Sequence, residues 1–238
     1  MTTRTPIDSS PFHDLLIVDI GGTVASGYAG KLYADYGARV VNLEPPEGFS
    51  TRHIAPLLDN GTSAIHAYLH AHKQSVCCTD SVLTHPATLA ADLVILDVST
   101  LPTSLAVDDF DTNVCAISWY GLTGPYAGFR GSDASIHALT GLMHGIGETD
   151  GPPIIPTGYQ AQVIGGLSAF NGSLGFLLGH LLAAQETSDA FCLDASIWEA
   201  NMCLTDIGAA ISFNDQPMPK RLGINRFAPT YPLGIWPC

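Results

Sequence analysis

Short apolar runs alternate with glycine-punctuated, helix-period segments along most of this chain. Residues 15–20 (LLIVDI) are a continuous apolar run of strand length. GGTVASG follows as a Gly/Ser-rich turn, and Tyr28 to Tyr36 places Leu32 and Tyr36 at i, i+4 beside Ala29, which predicts a helix. Gly37 supplies a stop for that helix. Residues 39–44 (RVVNLE) predict a second strand, ended by Pro45-Pro46. Strand, glycine turn, helix and strand in about 30 residues make a βαβ unit and predict a parallel sheet.

The alternation continues. Helices are predicted over 63–71, 86–91 and 134–143, and strands over 75–78, 92–98 and 113–118. A Gly/Pro-rich loop spans 145–158, followed by a long helix over 163–184, a QETSD turn and a strand over 191–196. Residues 197–213 predict a last helix, with Trp198, Met202, Thr205 and Ala209 on one stripe. From 214 to 238 the chain is rich in Pro and Gly and shows no periodic element. The fold class is therefore α/β, a Rossmann-like parallel sheet with flanking helices. One large domain over 15–213 is expected, after an N-terminal extension over 1–14.

The long helix calls for a membrane check, because no Asp, Glu, Lys or Arg occurs from Gly151 to Ala184. Ser168, Asn171, Ser173, His180 and five glycines interrupt its apolar run. It reads as a helix buried on most sides of a domain, with Gly172, Gly175 and Gly179 letting other backbones approach, rather than as a membrane span. The first fourteen residues hold no apolar core of the kind a secretory signal needs.

Charge sharpens this picture. The 238 residues carry 9 Lys+Arg and 22 Asp+Glu, a net charge of −13. Only 13% are charged and 46% are hydrophobic, against about 25% charged in an ordinary domain. Disorder is excluded, and nucleic-acid binding, which needs a basic face, is disfavoured. So little charge on so many apolar residues implies that a partner or further chain covers part of the surface. The six cysteines are scattered with no CxxC pair, which fits reduced thiols in a cytoplasmic protein.

Candidate chemistry begins at the Gly21-Gly22 turn, where an open parallel sheet binds ligands beyond its carboxyl edge. Tight helix-on-strand packing is the competing use of those glycines. Glu44 ends the second strand, where a dinucleotide fold keeps its ribose-binding acid. No GxGxxG, GxxxxGK[ST] or GxSxG occurs, which removes the P-loop and disfavours the α/β-hydrolase. His66 and His70 stand at i, i+4, near His72, and read as a solvated helix face rather than a metal pair. Trp119 to Tyr126 (WYGLTGPY) packs aromatics and glycines into a loop after a strand. It suits a flat ring or an acyl chain, or equally a Gly-Pro turn set into the core.

These pieces, taken in order, resemble a known family. They are Ala25 to Gly30 (ASGYAG); Val40 to Pro46 (VVNLEPP) with Arg52; His72 to Val76 (HKQSV); Tyr120-Gly121 with Thr123 to Gly128 (TGPYAG); Asp133 through Thr140 to Met143; Asp150 to Pro153 (DGPP); and Leu193 to Ser196 (LDAS) with Trp198 to Ala200. The ordered set is similar to the class III CoA-transferase (CaiB/BaiF) family, from Leu15 to about Trp236. The resemblance implies a Rossmann-like large domain, a small second domain for which 214–238 is the lead-in, and two interlocked subunits. It implies CoA transfer between an acyl-CoA and a carboxylic acid, with no metal. The CoA site implied draws on Val24, Ala25, Glu44, Arg52, Lys73, Tyr120, Gly121, Arg130 and Asp133, with Lys31 as a further cation.

The sequence departs from the family pattern in three places. The family's nucleophilic Asp, four residues before a glycine at the start of the long helix, is Gln162 here. A primary amide is a poor nucleophile, so the covalent route is lost unless Asp133, Glu148 or Asp150 replaces it. Ser132 stands where racemase relatives carry His, and the family's Lys-Arg pair reads Lys73-Gln74. Family members are longer, so that this chain is about three-fifths of an expected subunit, and it is expected to be a fragment or to be completed by a partner subunit. The expected function is a divergent CoA/acyl-CoA-binding member of the family. The alternatives are a scaffold half of a two-part enzyme, non-covalent catalysis with Gln162 polarising the thioester, and a dinucleotide-dependent oxidoreductase with Glu44 on the ribose.

Overall fold

The computed structural model describes residues 10–182 and 190–205, with positions 210, 213, 214, 221 and 223. Six strands form one sheet in the order β3-β2-β1-β4-β5-β6. They are β1 (Leu16–Asp19), β2 (Arg39–Glu44), β3 (Gln74–Cys77), β4 (Leu93–Asp97), β5 (Val114–Ser118) and β6 (Cys192–Ser196). Every pairing is parallel. The helices are α1 (Val24–Asp35), α2 (Ala64–Leu69), α3 (Pro86–Leu89), α4 (Asp133–Leu139), α5 (Gln160–Leu182) and α6 (Ile197–Met202).

The central strands are buried on both faces, which is why they read as unbroken apolar runs rather than alternating ones. Ile17, Leu93, Ile95, Cys115 and Ile117 face a core with Tyr33, Ile136, Phe170 and Ile197. Val18, Val94, Leu96, Val114 and Ala116 face a second core with Leu43, Cys78 and Phe110. The strand order reverses between β1 and β4, the topological switch point where such sheets bind ligands beyond their carboxyl ends.

Some elements differ from the sequence expectation for local reasons. α1 begins four residues earlier, because Thr23 and Ser26 form a reciprocal capping box. α4 stops at Leu139 because Gly141 turns left-handed (φ 77°) before a 3-10 turn over Leu142–Gly145. α6 tightens into a 3-10 turn over Cys203–Thr205; most of the rest of the expected helix, the QETSD turn and most of 214–238 lie outside the described residues. Within the 1–14 segment, the Phe12 ring packs tilted against Tyr33 and edge-on against Tyr36.

α5 is long and apolar enough to cross a membrane by length and composition, and 39% of its most apolar window is buried. It packs along α1, against α6 and over β6. The glycines that allow this are Gly165, Gly166 and Gly172: a methyl on Gly166 would collide with Ala25 O, and one on Gly165 with Ile197. Gly175 and Gly179 face open space, which corrects the expectation that they make close approaches. The helix is also less enclosed than expected, since Leu167, Phe176, Leu178 and Leu182 are exposed.

Candidate functional site at the carboxyl edge of the sheet

A cavity of ≈ 710 Å³ opens beyond the carboxyl ends of β1 to β4. Gly21, Gly22, Leu43, Phe49, Cys78 and Thr100 are among its lining residues. The glycine turn at its base is used for packing. The Phe49 ring lies where a side chain on Gly22 would go, and the Ser26 side chain crowds Gly21. Ser50 Oγ donates to Gly22 O (2.9 Å) and Thr100 Oγ1 to Gly21 O (2.7 Å). The N-terminus of α1 already faces a carboxylate, since Thr23 Oγ1 donates to Asp97 Oδ2 at 2.9 Å. Burial raises the Asp97 pKa, against the hydrogen bonds from Ser99 and Thr23 that lower it. Sequence reading passed over Phe49 and Asp97, because neither stands in a recognisable motif.

Glu44 is buried and fully engaged. Arg52 grips it with both forks, Nε to Oε2 and Nη2 to Oε1, each at 2.6 Å. Ser75 Oγ donates to Oε1 and Phe49 N to Oε2. Burial pushes the Glu44 carboxyl up, but these donors outweigh it and bring it down to about 2. Glu44 is thus committed to holding the 49–52 segment at the cavity lip, and its own carboxylate is not free for a ribose.

Lys73 is not at the cavity. Its Nζ is 0% exposed and sits 3.4 Å from Asp19 Oδ2, also 0% exposed, while donating to Gly27 O at 2.8 Å. Burial lowers its pKa and Asp19 opposes that. Beside it lies a polar chain. Lys73 Nζ and Asn42 Nδ2 both face His70 Nδ1, at 3.4 and 2.9 Å. A cationic donor there makes Nδ1 an acceptor, so His70 is neutral with its proton on Nε2. Nε2 then donates to Thr51 Oγ1 (3.3 Å), whose hydroxyl donates to His66 Nδ1 (2.9 Å). His66 is buried at 7% exposure, which corrects the expected solvated face: the i, i+4 pair is an internal bridge. Among the described residues, no group of three His, Cys, Asp or Glu could hold a metal.

Val24 and Ala25 are buried in α1, and neither is among the cavity's lining residues. Lys31 pairs with Asp35 at 3.0 Å on the helix surface.

The remaining candidates gather beyond β5, around the entry to α5. Helices in βαβ units run antiparallel to the strands, so α1 and α5 both begin at this edge. Gln162 lies in the first turn of α5, one turn before the Gly166 contact with α1. Asp133, at the start of α4, caps that turn. Its Oδ1 accepts from Ala161 N (2.9 Å) and Gln162 N (3.3 Å), and its Oδ2 from Gln162 Nε2 (2.8 Å). Ser132 caps α4 by accepting from Ser135 N. Tyr120 OH meets Ser135 Oγ at 3.1 Å, and its ring meets Trp198 edge-on. Tyr126 continues the aromatic cluster to Phe129, both exposed. Gly121 turns left-handed (φ 95°), with its N–H donating to Ser118 Oγ. Arg130, Glu148 and Asp150 are exposed.

The chemistry available here is that of an amide. One Gln162 side-chain N–H is held by Asp133; the other can donate to a developing oxyanion. Both oxygens of Asp133 are engaged as a helix cap, so its carboxylate is not a free nucleophile.

Comparison with known proteins agrees with this architecture. The sequence profile described as CoA-transferase family III matches residues 12–79 and 114–238. The chain is 27% identical to succinyl-CoA:glutarate CoA-transferase of Mus musculus, over 84% of this chain and 48% of that protein. It is 27% identical to succinate–glutarate CoA-transferase of Agrobacterium fabrum, over 89% and 55%. It spans about half the length of these relatives. Among solved structures, a CaiB/BaiF family protein from Brucella suis superposes with a TM-score of 0.80 at 25% identity, over 95% of this chain and 63% of that one. The sheet, the helix entries and the profile converge, and the chain belongs to CoA-transferase family III, the class III (CaiB/BaiF) CoA-transferases.

Proposed function

We propose that this chain binds a CoA thioester at the carboxyl edge of its sheet without forming a covalent intermediate. The cavity at the switch point takes one part of the ligand, and the α5 entry faces the thioester. The observation that carries the reading is Gln162, an amide at the position the family resemblance assigns to the nucleophilic Asp, held by Asp133. Attack on a thioester needs an anionic oxygen, and the one carboxylate in contact with Gln162 is occupied by three donors. The ligand classes are an acyl-CoA and a carboxylic acid acceptor, in a cytoplasmic protein that works as a homodimer or with a partner subunit. Tyr120, Gly121, Arg130 and Asp133 frame the site; Glu44, Arg52 and Lys73 act through the loops they fix, and Val24 and Ala25 through the packing of α1.

A second reading, a scaffold half of a two-part transferase, is favoured by the exposed apolar residues of α5. It shares the CoA site and differs in where turnover occurs.

The test is calorimetric titration of the full chain with acetyl-CoA and, separately, NADH. Saturable acetyl-CoA binding with no NADH response is expected. NADH binding without a CoA response would overturn the reading in favour of an oxidoreductase.

A further inference from the structure

Behind the α5 entry lies a group of buried polar atoms that the surrounding side chains and backbone do not satisfy. Among the described residues, seven buried side-chain nitrogen and oxygen atoms have no hydrogen-bond partner. Four of the seven are on two short helices, α4 and α6: both ring nitrogens of His137, Trp198 Nε1 and Asn201 Oδ1. His137 and Asn201 are each 0% exposed. Buried polar atoms in native proteins are bonded to protein or to ordered water in the large majority of cases, so their concentration on one helix pair marks a place where a small polar guest is held.

The two helices meet. α4 packs against α6, and both pack against α5. Tyr120 spans them, with its hydroxyl on Ser135 of α4 and its ring edge-on to Trp198 of α6. His137 follows Asp133 by one turn and Asn201 follows Trp198 by three residues, so each pair shares a face of its helix. Asp133 and Asn201 also grip one peptide unit from its two ends. Gln162 N donates to Asp133 Oδ1 (3.3 Å), and Asn201 Nδ2 donates to Ala161 O (3.0 Å), the carbonyl of that same peptide. Nδ2 donates to Ile197 O as well (2.7 Å). Two carbonyls at one end of the Asn201 amide fix which end is nitrogen, and leave Oδ1 as a buried acceptor in need of a donor.

The four atoms complement water. Trp198 Nε1 only donates, Asn201 Oδ1 only accepts, and a neutral imidazole offers one donor and one acceptor. One water accepting from the indole, donating to the amide oxygen and sharing a hydrogen bond with the His137 ring would make the three bonds usual for an internal water.

We propose that His137, Trp198 and Asn201 hold one internal water between α4 and α6, and that this water, through Asn201, positions the Gln162 amide. His137 and Asn201 are then positioning residues, since they act on Gln162 and touch no ligand. With Oδ1 bonded to the water, Nδ2 stays on Ala161 O and the Gln162 peptide is held at both ends. The Gln162 side chain stays on Asp133 Oδ2 with its second N–H free to donate. The water site goes beyond the CoA-thioester reading; its effect on a thioester carbonyl rests on that reading.

Proton–nitrogen NMR of the full chain tests the site. In the unaltered protein, Trp198 Nε1–H is expected to show cross-relaxation at the water frequency with the sign of a long-lived bound water. The Gln162 side-chain proton on Asp133 is expected to exchange slowly. His137→Leu should abolish the water signal and speed that exchange by about fivefold to tenfold, and His137→Gln, which keeps a donor and an acceptor, should restore both. With [1-13C]acetyl-CoA, the carbonyl signal should shift on binding to the unaltered chain and to His137→Gln, and shift less with His137→Leu. No water signal at Trp198 in the unaltered chain would overturn the site, whether or not the variants fold. A water signal lost in His137→Leu with Gln162 exchange unchanged would overturn the positioning role. Failure of acetyl-CoA to bind would overturn the CoA reading and leave the water site to stand or fall on the first measurement.

Discussion

Gln162 Nε2 donates to Asp133 Oδ2 at 2.8 Å, and the same carboxylate accepts from the backbone N–H of Gln162 and Ala161. One acidic side chain thus fixes both the first turn of the longest helix and the amide at its entry. Gln162→Asp would bring a second carboxylate beside Asp133. Two carboxylates so close share a proton, and the apparent pKa of the pair splits. The variant is expected to form a hydroxylamine-sensitive acyl or CoA adduct with an acyl-CoA, most at a pH where one carboxylate of the pair is ionised. Intact-mass measurement across pH checks it.

Asp133→Ala leaves three donors at the α5 entry without their acceptor. Loss of such a cap costs about 1–2 kcal/mol, which for a chain of this size is a fall of roughly 2–8 °C in Tm. Asp133→Asn keeps an acceptor oxygen and should lose less. Thermal unfolding of both variants decides this.

The Asp19–Lys73 pair is closed from solvent on both sides. Lys73→Met strands a buried carboxylate and should destabilise by about 3–5 kcal/mol. The double change Asp19→Asn/Lys73→Met removes both charges and should recover most of that loss. A double-mutant cycle in urea measures the coupling.

The histidine bridge predicts acid sensitivity. Burial, with Lys73 and His66 adding to it, lowers the His70 pKa to about 2, and burial lowers that of His66. An unfolded histidine takes its proton near 6.5. Below that pH the unfolded chain binds protons that the folded chain does not, so stability falls as pH drops through 6.5, by up to about 1.4 kcal/mol per pH unit for each such histidine. Glu44 acts in the same direction lower down: its folded pKa of about 2 lies below the ordinary 4.5, so its stabilisation is present above 4.5 and lost from there toward 2. His70→Gln should flatten the decline between pH 6.5 and 5 and leave the Glu44 step below it. Tm measured against pH checks both limbs.

The parallel sheet was legible because its strands are buried on both faces and its turns carry Gly and Pro. β2 occupies the residues predicted for it, Arg39 to Glu44. The start of α1 was less legible: Thr23 and Ser26 cap a helix through side-chain hydrogen bonds that composition alone reads as a Gly/Ser turn. Gln162 and Asp133 were each singled out in sequence, yet their contact joins positions far apart in the chain, and no local pattern encodes it. The same holds for Lys73, which looks like a surface cation until Asp19 is set beside it. His66 and His70 had the spacing of a pair, but their burial depends on Thr51 from a separate loop.

The most direct test of the account is intact-mass analysis of the unaltered chain after incubation with an acyl-CoA to which calorimetry shows it binds. The account predicts saturable binding and an unchanged polypeptide mass, with mass gained only in Gln162→Asp. An acyl or CoA adduct on the unaltered chain, released by hydroxylamine, would contradict it.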